Sequence, residues 1–586
     1  MYAFYKKYEY VILSLFVVIP YLYASPFWDG GYRDTDCYIH AWRVYDLMQT
    51  QRWAEEILMK SNYPFGEVIH YTRIMDVMWL LIALPLTFFY PLKEAVFNGG
   101  LWFQPVIAAM TACAMIWALR PYFNPFLRLL AVTLFFWQPI TAQLYVFSRP
   151  DHHTIVVFFS FLVIGNLLRF IKTPDMKYMK YAGILSGVML WTSVEGLLIS
   201  YTLLASMVVL WVLEKRYLEQ MRSYILYYLI SSTTCLAINP PYEGFFHADN
   251  GRISVLMLAI IGLTFVSLDI CVRLQEKGWL TNWFRRGVAL GVLAGASAGL
   301  VILIFGYNTV FGNPFTPEIK AWYSSVAELV PAGDNPVLFK TFALPSTLAI
   351  IVVILFFTPK EKDFLVLTGL PLFFFTALVY VSIRFSQHSS VFIVFPVILC
   401  LNTLFERFLK NRLPVSNMKY INISCFICLV ASFITLNISQ KDTLKSMINA
   451  YAYNTRDYLP YISPKEGSIL TRVFDGSEII WTMERPVIST PNHRNIDGIV
   501  DTYNTFFNND MNEVKKLLKK RQVTTIMVPA LVMNLNPLTS PRPDDFAVRL
   551  VEGRALPCGV MLAKDLPALM QGLYVIYHVD FDNCPP

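Results

Sequence analysis

Four short segments of this sequence carry acidic, histidine or arginine side chains beside long apolar runs. Their carboxylates and imidazoles could hold a divalent cation, and an arginine could bind an anionic substrate. Such side chains are costly at the edge of a membrane unless they are paired, hydrated or metal-bound, so each segment is a candidate functional site. The segments are RDTDCYIH (33–40), SRPDHH (148–153), SSVAE (324–328) and IRFSQH (383–388).

Membrane-spanning helices are the elements that must position these segments. Of 586 residues, 55% are hydrophobic and 15% are charged, whereas a soluble protein of this length is roughly a quarter charged. The mean hydropathy is +0.47. Apolar runs of about 17–25 residues, enough to cross a hydrocarbon layer of ~30 Å, recur as far as residue 436. The net charge of +7 lies mostly in short loops, which indicates topology and no nucleic acid partner.

The predicted fold is a polytopic α-helical membrane protein followed by a C-terminal mixed α/β extracytoplasmic domain. The membrane domain covers 1–438 and includes long external loops at 25–97 and 308–342. From about residue 439 charged residues, Pro and Asn return, so 439–586 is predicted to be soluble. About thirteen spans are predicted, at 8–24, 98–118, 128–147, 154–171, 179–195, 197–213, 224–239, 253–273, 286–307, 343–358, 363–381, 389–405 and 419–438.

The basic residues predict which side each loop faces. With these spans, six basic loops fall on the side of Lys6 and Lys7, as expected for cytoplasmic loops. The apolar run at 77–90 is short, and we interpret it as an outer interfacial helix that does not cross. The four polar segments and the C-terminal domain then share the outer side. Cys558 and Cys584 would lie there too, where a disulfide between them is possible but not required.

On these residues the sequence resembles the catalytic subunit of oligosaccharyltransferase, of the single-chain bacterial and archaeal type, within the GT-C glycosyltransferases. Asp36, in DTDCYIHAWRVYDLM, matches the aspartate of the first external loop, with Asp34 as the alternative register. Asp151-His152-His153 matches the acidic motif at the fourth span, and SVAE at 325–328 matches the fifth-loop motif. The resemblance implies a Mn²⁺ or Mg²⁺ site, with ligands Asp36, Asp151, His153 and Glu328.

The resemblance also implies the substrate contacts. Arg384 matches the arginine that contacts the phosphate of the lipid-linked donor, and its rigid fork of donors suits phosphate oxygens. The sequon-reading motif W-W-D-Y-G is matched here only by Asp475 and Gly476. The segment PNHRN at 491–495 stands where the family has an Asn-rich stretch. The expected substrate-binding residues are Arg384, Arg149, Asp475, His493 and Arg494.

The implied function is transfer of a glycan from a polyprenyl phosphate or diphosphate carrier to an extracytoplasmic acceptor. Asp36 and Glu328 would be catalytic, orienting the acceptor nucleophile and accepting its proton. A protein acceptor is the main hypothesis, in a bacterial inner membrane with the active site facing the periplasm. A GT-C enzyme acting on a lipid or polysaccharide and a transporter or flippase are the alternatives. Glu195, near the end of the fifth predicted span, is interpreted as a structural glutamate, with a substrate contact as the alternative.

Overall fold

The computed structural model describes residues 2–24, 30–54, 57–312, 316–355, 358–404, 455–535, 541–564, 566–582 and 584. Most of these residues are helical, and a small mixed sheet lies near the C-terminus. The predicted class, a polytopic helical membrane protein with a mixed α/β C-terminal part, is confirmed. The predicted span at 419–438 and the domain boundary at 438/439 lie outside the described residues.

The helices alternate between long apolar rods and short polar or amphipathic elements. The helices before the C-terminal domain are α1 Tyr2–Ala24, α2 Thr35–Thr50, α3 Arg73–Ala83, α4 Leu92–Leu119, α5 Pro125–Trp137, α6 Pro139–Leu144, α7 His152–Lys172, α8 Met176–Thr192, α9 Glu195–Glu214, α10 Leu218–Ile238, α11 Val255–Glu276, α12 Trp283–Phe305, α13 Tyr307–Phe311, α14 Pro317–Ser325, α15 Pro336–Leu355, α16 Lys362–Val379 and α17 Ser386–Leu404. Eight of those in the described part are long and apolar enough to cross a membrane, namely α4, α7, α9, α11, α12, α15, α16 and α17 with its preceding turn.

Two predicted spans differ from the structure in their continuity or their ends. The span predicted at 128–147 is interrupted at Gln138, whose backbone is extended and which precedes Pro139. Proline disfavours a helical conformation in the residue before it and starts a new helix readily. The span predicted at 179–195 ends at Thr192, so Glu195 begins the next helix and does not end the previous one. This correction puts Glu195 at a helix N-terminus.

Ion pairs join the basic loops at one end of the helical bundle. Arg216 Nη2 lies 2.6 Å from Asp363 Oδ1, which pairs the loop after α9 with the start of α16. Arg128 Nη2 lies 2.7 Å from Glu9 Oε2, which pairs the start of α5 with α1. The loops predicted to share the cytoplasmic side are thus linked to one another and to the N-terminal helix.

The apolar run at 77–90 forms helix α3 and a 3₁₀ turn over Leu84–Phe88. Helix α3 has 11 residues and is therefore only about 16 Å long, too short to cross a hydrocarbon layer of ~30 Å. Phe88 and Phe89 beside it are 86% and 79% exposed. Exposed aromatic side chains at the end of a short apolar helix agree with the interfacial helix that the sequence predicts.

The C-terminal part is an α/β unit around a four-stranded sheet. The sheet order is β3-β4-β6-β5, with β3 parallel to β4 and the other neighbours antiparallel. A disulfide joins Cys558 to Cys584 beside this sheet. The strands of the chain are β1 Ile57–Leu58, β2 Glu67–Val68, β3 Ser468–Leu470, β4 Val523–Pro529, β5 Val560–Leu562 and β6 Tyr574–Val579, and the helices of this part are α18 Gly476–Met483, α19 Ile496–Phe506, α20 Met511–Lys520, α21 Phe546–Glu552 and α22 Ala568–Gln571.

Glu67 in β2 attaches the first long loop to the C-terminal domain. The residue is 2% exposed, and its carboxylate accepts hydrogen bonds from Thr490 Oγ1 at 2.7 Å, from Ser61 and from Asn492. Burial raises the pKa of Glu67 to about 7, although these hydrogen bonds act in the opposite direction. A buried, four-residue polar contact therefore holds the domain against the loop that carries the first motif.

We predict that Glu67 makes the stability of this contact depend on pH. The Glu67 carboxyl, with a folded pKa of about 7 and an ordinary value of 4.5, ionises more readily in the unfolded chain. Stability should therefore decline by about 3 kcal/mol as pH rises from about 4.5 to about 7. Thermal unfolding in detergent across this range should show a decline that Glu67→Gln removes. Glu484→Gln, at an exposed carboxylate of the same domain, should keep it; equal pH profiles for wild type and Glu67→Gln would contradict the assignment.

Candidate functional site

Two helix N-termini bring the first two sequence motifs together. Asp34 is the N-cap of α2, and its side chain accepts the N–H of Asp36 at 3.3 Å. Asp151 is the N-cap of α7, and its Oδ1 accepts the N–H two residues later at 2.9 Å. Cys37 Sγ donates to the carbonyl of Pro150 at 3.1 Å, which holds the two N-termini side by side. Positive helix ends favour the carboxylates that gather there.

Arg149 lies between these carboxylates. Its Nε is 3.0 Å from Asp34 Oδ2, and its Nη2 is 3.4 Å from Asp151 Oδ2. One guanidinium, 23% exposed, thus compensates a part-buried acid, Asp34, and a buried one, Asp151. The predicted substrate contact at Arg149 is therefore already engaged in the charge balance of the site.

A possible metal-binding group lies at the start of α7. Asp151, His152 and His153 each offer one ligand atom, and these atoms lie within 4.8 Å of one another. Among the described residues no other group of three His, Cys, Asp or Glu meets this condition. Mixed carboxylate oxygen and imidazole nitrogen ligands suit Mn²⁺ and related divalent ions. The sequence predicts Asp151 and His153 as ligands, and the structure adds His152 to them.

Asp36 faces the same group of carboxylates. Its pKa is raised to about 8, first by desolvation and then by the charges of Asp34, Glu328 and Asp151, while the hydrogen bond from Tyr71 lowers it. The Tyr71 hydroxyl donates to Asp36 Oδ2 at 3.2 Å. Repulsion among several acids that have converged is the condition that a bound cation relieves.

The third and fourth motifs meet each other beside this group. Glu328 lies in a 3₁₀ turn, Ala327–Leu329, and its carbonyl accepts a hydrogen bond from Ser382 Oγ at 3.0 Å. Arg384 lies in the 3₁₀ turn before α17, and its Nη1 is 3.5 Å from Glu328 Oε1. The same guanidinium donates from Nε to Glu195 Oε1 at 2.7 Å. The long loop before α15 is thus held to the end of α16.

Histidine and tyrosine rings line the space next to Asp36, and among them the sequence predicted a substrate contact only for His493. Tyr71 packs against His40 and His70, with ring centroids 4.4 and 4.2 Å apart. His152 lies 6.0 Å from His40, and His493 of the C-terminal domain lies 4.3 Å from His70. Burial, together with nearby charge, lowers the pKa of His40 well below its usual range. The signal that the sequence offered for this group was its histidine content, and five of its eight histidines gather here.

Two of the residues that line this space, His40 and His70, have ring nitrogens that make no hydrogen bond among the described residues. Both ring nitrogens of His40 and the Nδ1 of His70 are buried without a hydrogen-bond partner among the described residues. His40 is 2% exposed. Neutral, unpartnered imidazoles beside a cluster of acids are unusual in a purely structural core. They indicate a polar ligand site.

The predicted contacts in the C-terminal domain behave differently from one another. His493 lies against His70, among the rings that line the space next to Asp36. Asp475 is buried, accepting hydrogen bonds from Arg472 and, at 2.7 Å, from the Tyr574 hydroxyl. Arg494 Nη2 lies 2.6 Å from each oxygen of Asp249 in the loop before α11. The charged groups of Asp475 and Arg494 are thus both satisfied within the protein.

Comparison with known proteins gives structural matches alone, since no family model and no curated relative matches the chain. The structure of the archaeal oligosaccharyltransferase AglB from Archaeoglobus fulgidus, with an inhibitory peptide and a dolichol-phosphate, matches with a TM-score of 0.68 at 14% identity, over 99% of this chain and 75% of that chain. The Archaeoglobus fulgidus oligosaccharyltransferase tethered to an acceptor peptide with the NVT sequon matches at 0.64, 14% identity and the same coverage. Its complex with Zn and sulfate matches at 0.62 and 14% identity, over 89% and 68% of the two chains.

These matches establish the fold of the chain. The chain is an integral membrane protein with the fold of the GT-C glycosyltransferases. Within that class its structural neighbours are archaeal oligosaccharyltransferases, as the sequence resemblance predicted. At 14% identity the likeness establishes the fold and leaves the chemistry to the site itself.

We predict that a divalent cation compensates part of the stability that is lost when Arg149 is replaced. Arg149→Ala should lower stability by about 2 kcal/mol, because Asp34 and Asp151 lose their shared cation. Added Mn²⁺ should restore part of the melting temperature, since it can compensate the same carboxylates. Arg494→Ala, which breaks the pair with Asp249, is the control. Its melting temperature should also fall, but added Mn²⁺ should not raise it again. Equal responses of the two variants to Mn²⁺ would contradict this prediction.

Proposed function

We propose that this protein is a membrane glycosyltransferase of oligosaccharyltransferase type. It transfers a glycan from a polyprenyl phosphate or diphosphate carrier to an extracytoplasmic acceptor in a divalent-metal-dependent reaction. The observation that carries the proposal is the convergence of acids and imidazole at Asp36, Asp151, His153 and Glu328 beside Arg384. The fold supports it, because similar structures hold a dolichol-phosphate or Zn and sulfate.

Asp36, Asp151, His153 and Glu328 are the residues that would hold the cation, Mn²⁺ or Mg²⁺. Three carboxylates and an imidazole fit such an ion, and the nitrogen ligand favours Mn²⁺. The fit rests on geometry, because Asp151, His152 and His153 offer ligand atoms within 4.8 Å of one another. Asp36 lies close enough to Asp151 and Glu328 for their charges to raise its pKa, after the larger effect of desolvation. When bound, the cation neutralises charge that develops on the phosphate of the leaving carrier.

Arg384 is the residue that would contact the phosphate of the donor. Its side chain is 30% exposed, and a guanidinium can bind two phosphate oxygens in one plane. Because Glu195 engages its Nε, the guanidinium is oriented before the donor binds. A fixed positive charge at the leaving phosphate lowers the barrier more than a mobile one does.

Asp36 and Glu328 would act on the acceptor. Both lie at the converging group of carboxylates, and the Tyr71 hydroxyl holds Asp36 in position. A carboxylate can accept a hydrogen bond from the nucleophile, orient it toward the anomeric carbon and take its proton. The acceptor binds between the first long loop and the loop that contains Glu328.

The active end of the bundle is proposed to face the periplasm of a bacterial inner membrane. Basic loops gather at the other end, as expected for the cytoplasmic side. The disulfide between Cys558 and Cys584 lies in the C-terminal domain, which shares the active end. Disulfides persist in oxidising compartments such as the periplasm.

Protein is the acceptor that the structural neighbours favour, since one of them is tethered to a peptide containing the NVT sequon. A lipid or polysaccharide acceptor is the second candidate, and one observation favours it. Asp475, the residue left from the sequon-reading motif, has its carboxylate occupied by Arg472 and Tyr574. A carboxylate satisfied in this way is a poor partner for the hydroxyl of an acceptor Ser or Thr.

We predict that Asp151→Asn lowers glycan transfer by about 100-fold or more, because the amide keeps the helix cap but is a poor cation ligand. Asp175→Asn is the matched control. Asp175 is also an N-cap, of α8, and accepts the N–H two residues later at 2.9 Å. Its variant should transfer at the wild-type rate. Transfer measured with purified protein and lipid-linked donor tests this, and near-normal activity of Asp151→Asn would overturn the metal-site hypothesis.

We predict that purified protein with a lipid-linked donor distinguishes little between an Asn-Val-Thr peptide and an Asn-Val-Ala peptide. The physical reason is that Asp475 is already hydrogen-bonded within the domain. A strong preference for the threonine peptide would show that the hydroxyl is read and would favour the protein acceptor. If neither peptide is modified, mass spectrometry of glycoproteins and surface polysaccharide from a deletion strain identifies the acceptor class.

A further inference from the structure

Glu195 occupies an unusual place between the two halves of the proposed site. It is the first residue of α9, with two residues between it and the end of α8, and it is 7% exposed. Its neighbours come from α7 and from the segment that opens α17, which are far apart in the sequence. A buried carboxylate with several polar neighbours can fix the positions of those neighbours.

The two oxygens of Glu195 serve different partners. Oε1 accepts a hydrogen bond from Arg384 Nε at 2.7 Å. Oε2 lies 3.0 Å from His388 Nε2 and accepts from Gln387 Nε2 at 3.0 Å. Oε2 also lies 3.4 Å from His153 Nδ1. One carboxylate therefore contacts a proposed metal ligand and the proposed phosphate-binding arginine at the same time.

The 3.4 Å separation between Glu195 Oε2 and His153 Nδ1 bears on which ring nitrogen is available to a cation. A carboxylate beside Nδ1 favours the proton on that nitrogen, which leaves the lone pair of Nε2 free to act as a ligand. His153 is itself 5% exposed, so water does not readily take over this role. Metal-binding histidines commonly depend on such a carboxylate for their tautomer and ring orientation.

The contact with Arg384 decides which donors remain for the phosphate. With Nε bound to Glu195, Nη1 of the guanidinium lies 3.5 Å from Glu328 Oε1. His388 and Gln387 hold the other oxygen and so prevent the carboxylate from turning away. His388 is 1% exposed, which makes this support rigid.

We propose that Glu195 is a positioning residue that couples the metal ligand His153 to the phosphate-binding Arg384. The inference rests on the proposed function, and it adds that one carboxylate sets both the cation affinity and the donor affinity. The plain alternative is that Glu195 only holds α9 against α17, with no effect on either ligand once the protein is folded.

The test compares Glu195→Gln with a matched variant at the other end of the bundle. Glu9 is a buried glutamate whose two oxygens bind Arg128 at 2.8 and 2.7 Å, so Glu9→Gln removes an equivalent buried charge pair away from the site. Binding of Mn²⁺, followed by electron paramagnetic resonance, and binding of undecaprenyl phosphate are measured on folded, detergent-purified protein. His153→Ala and Arg384→Ala show which affinity each partner controls.

We expect Glu195→Gln to weaken both Mn²⁺ and undecaprenyl phosphate binding about tenfold. His153→Ala should weaken chiefly the first, Arg384→Ala chiefly the second, and Glu9→Gln neither. If Glu195→Gln does not fold, Glu195→Asp keeps the charge but withdraws it from His153 and Arg384, and it should weaken both affinities by several-fold. Wild-type affinities in a folded Glu195 variant would overturn the inference alone. Failure of the wild-type protein to bind Mn²⁺ would overturn the metal centre of the proposed function and this inference with it.

Discussion

Compensation of buried charge is the constraint on which the active end of this protein depends. An ionised group removed from water costs several kcal/mol unless an opposite charge or several hydrogen bonds compensate it. An arginine supplies that compensation for Asp34, Asp151, Glu195 and Glu328, and only Asp151 is close to its arginine in the sequence. Arg149 lies between Asp34 and Asp151, and Arg384 lies between Glu195 and Glu328. Because these partners come from different helices, the ion pairs also determine how the helix ends are arranged.

The same constraint explains why some charges that were expected to contact a substrate are not available to it. Asp475 and Arg494 carry the charge expected of substrate contacts, yet Tyr574 and Asp249 already engage them. His40, in contrast, is neutral, and its ring nitrogens have no hydrogen-bond partner in the described part of the chain. A polar group without a partner in a buried wall is more informative about ligand binding than a charged group with one, because its unmet hydrogen bonds are an energetic cost that a ligand can relieve.

Buried polar contacts also determine where the C-terminal domain lies, outside the membrane helices. Glu67 holds the first long loop to the C-terminal domain through neutral hydrogen-bond donors. That attachment carries His493 to His70, so a soluble domain completes the wall of a site built mainly by helix ends. In the proposed function, the acceptor would enter between elements whose spacing is set by these hydrogen bonds.

The sequence by itself determined the membrane class, most helix positions and the motifs around Asp36, Asp151, Glu328 and Arg384, because hydropathy and charge act locally along the chain. It placed Glu195 at the wrong helix, since only two residues separate α8 from α9 and apolar composition does not mark the break. Only the tertiary structure decided which groups are paired and which face a ligand. That assignment depends on contacts between residues hundreds of positions apart, and no local pattern records them.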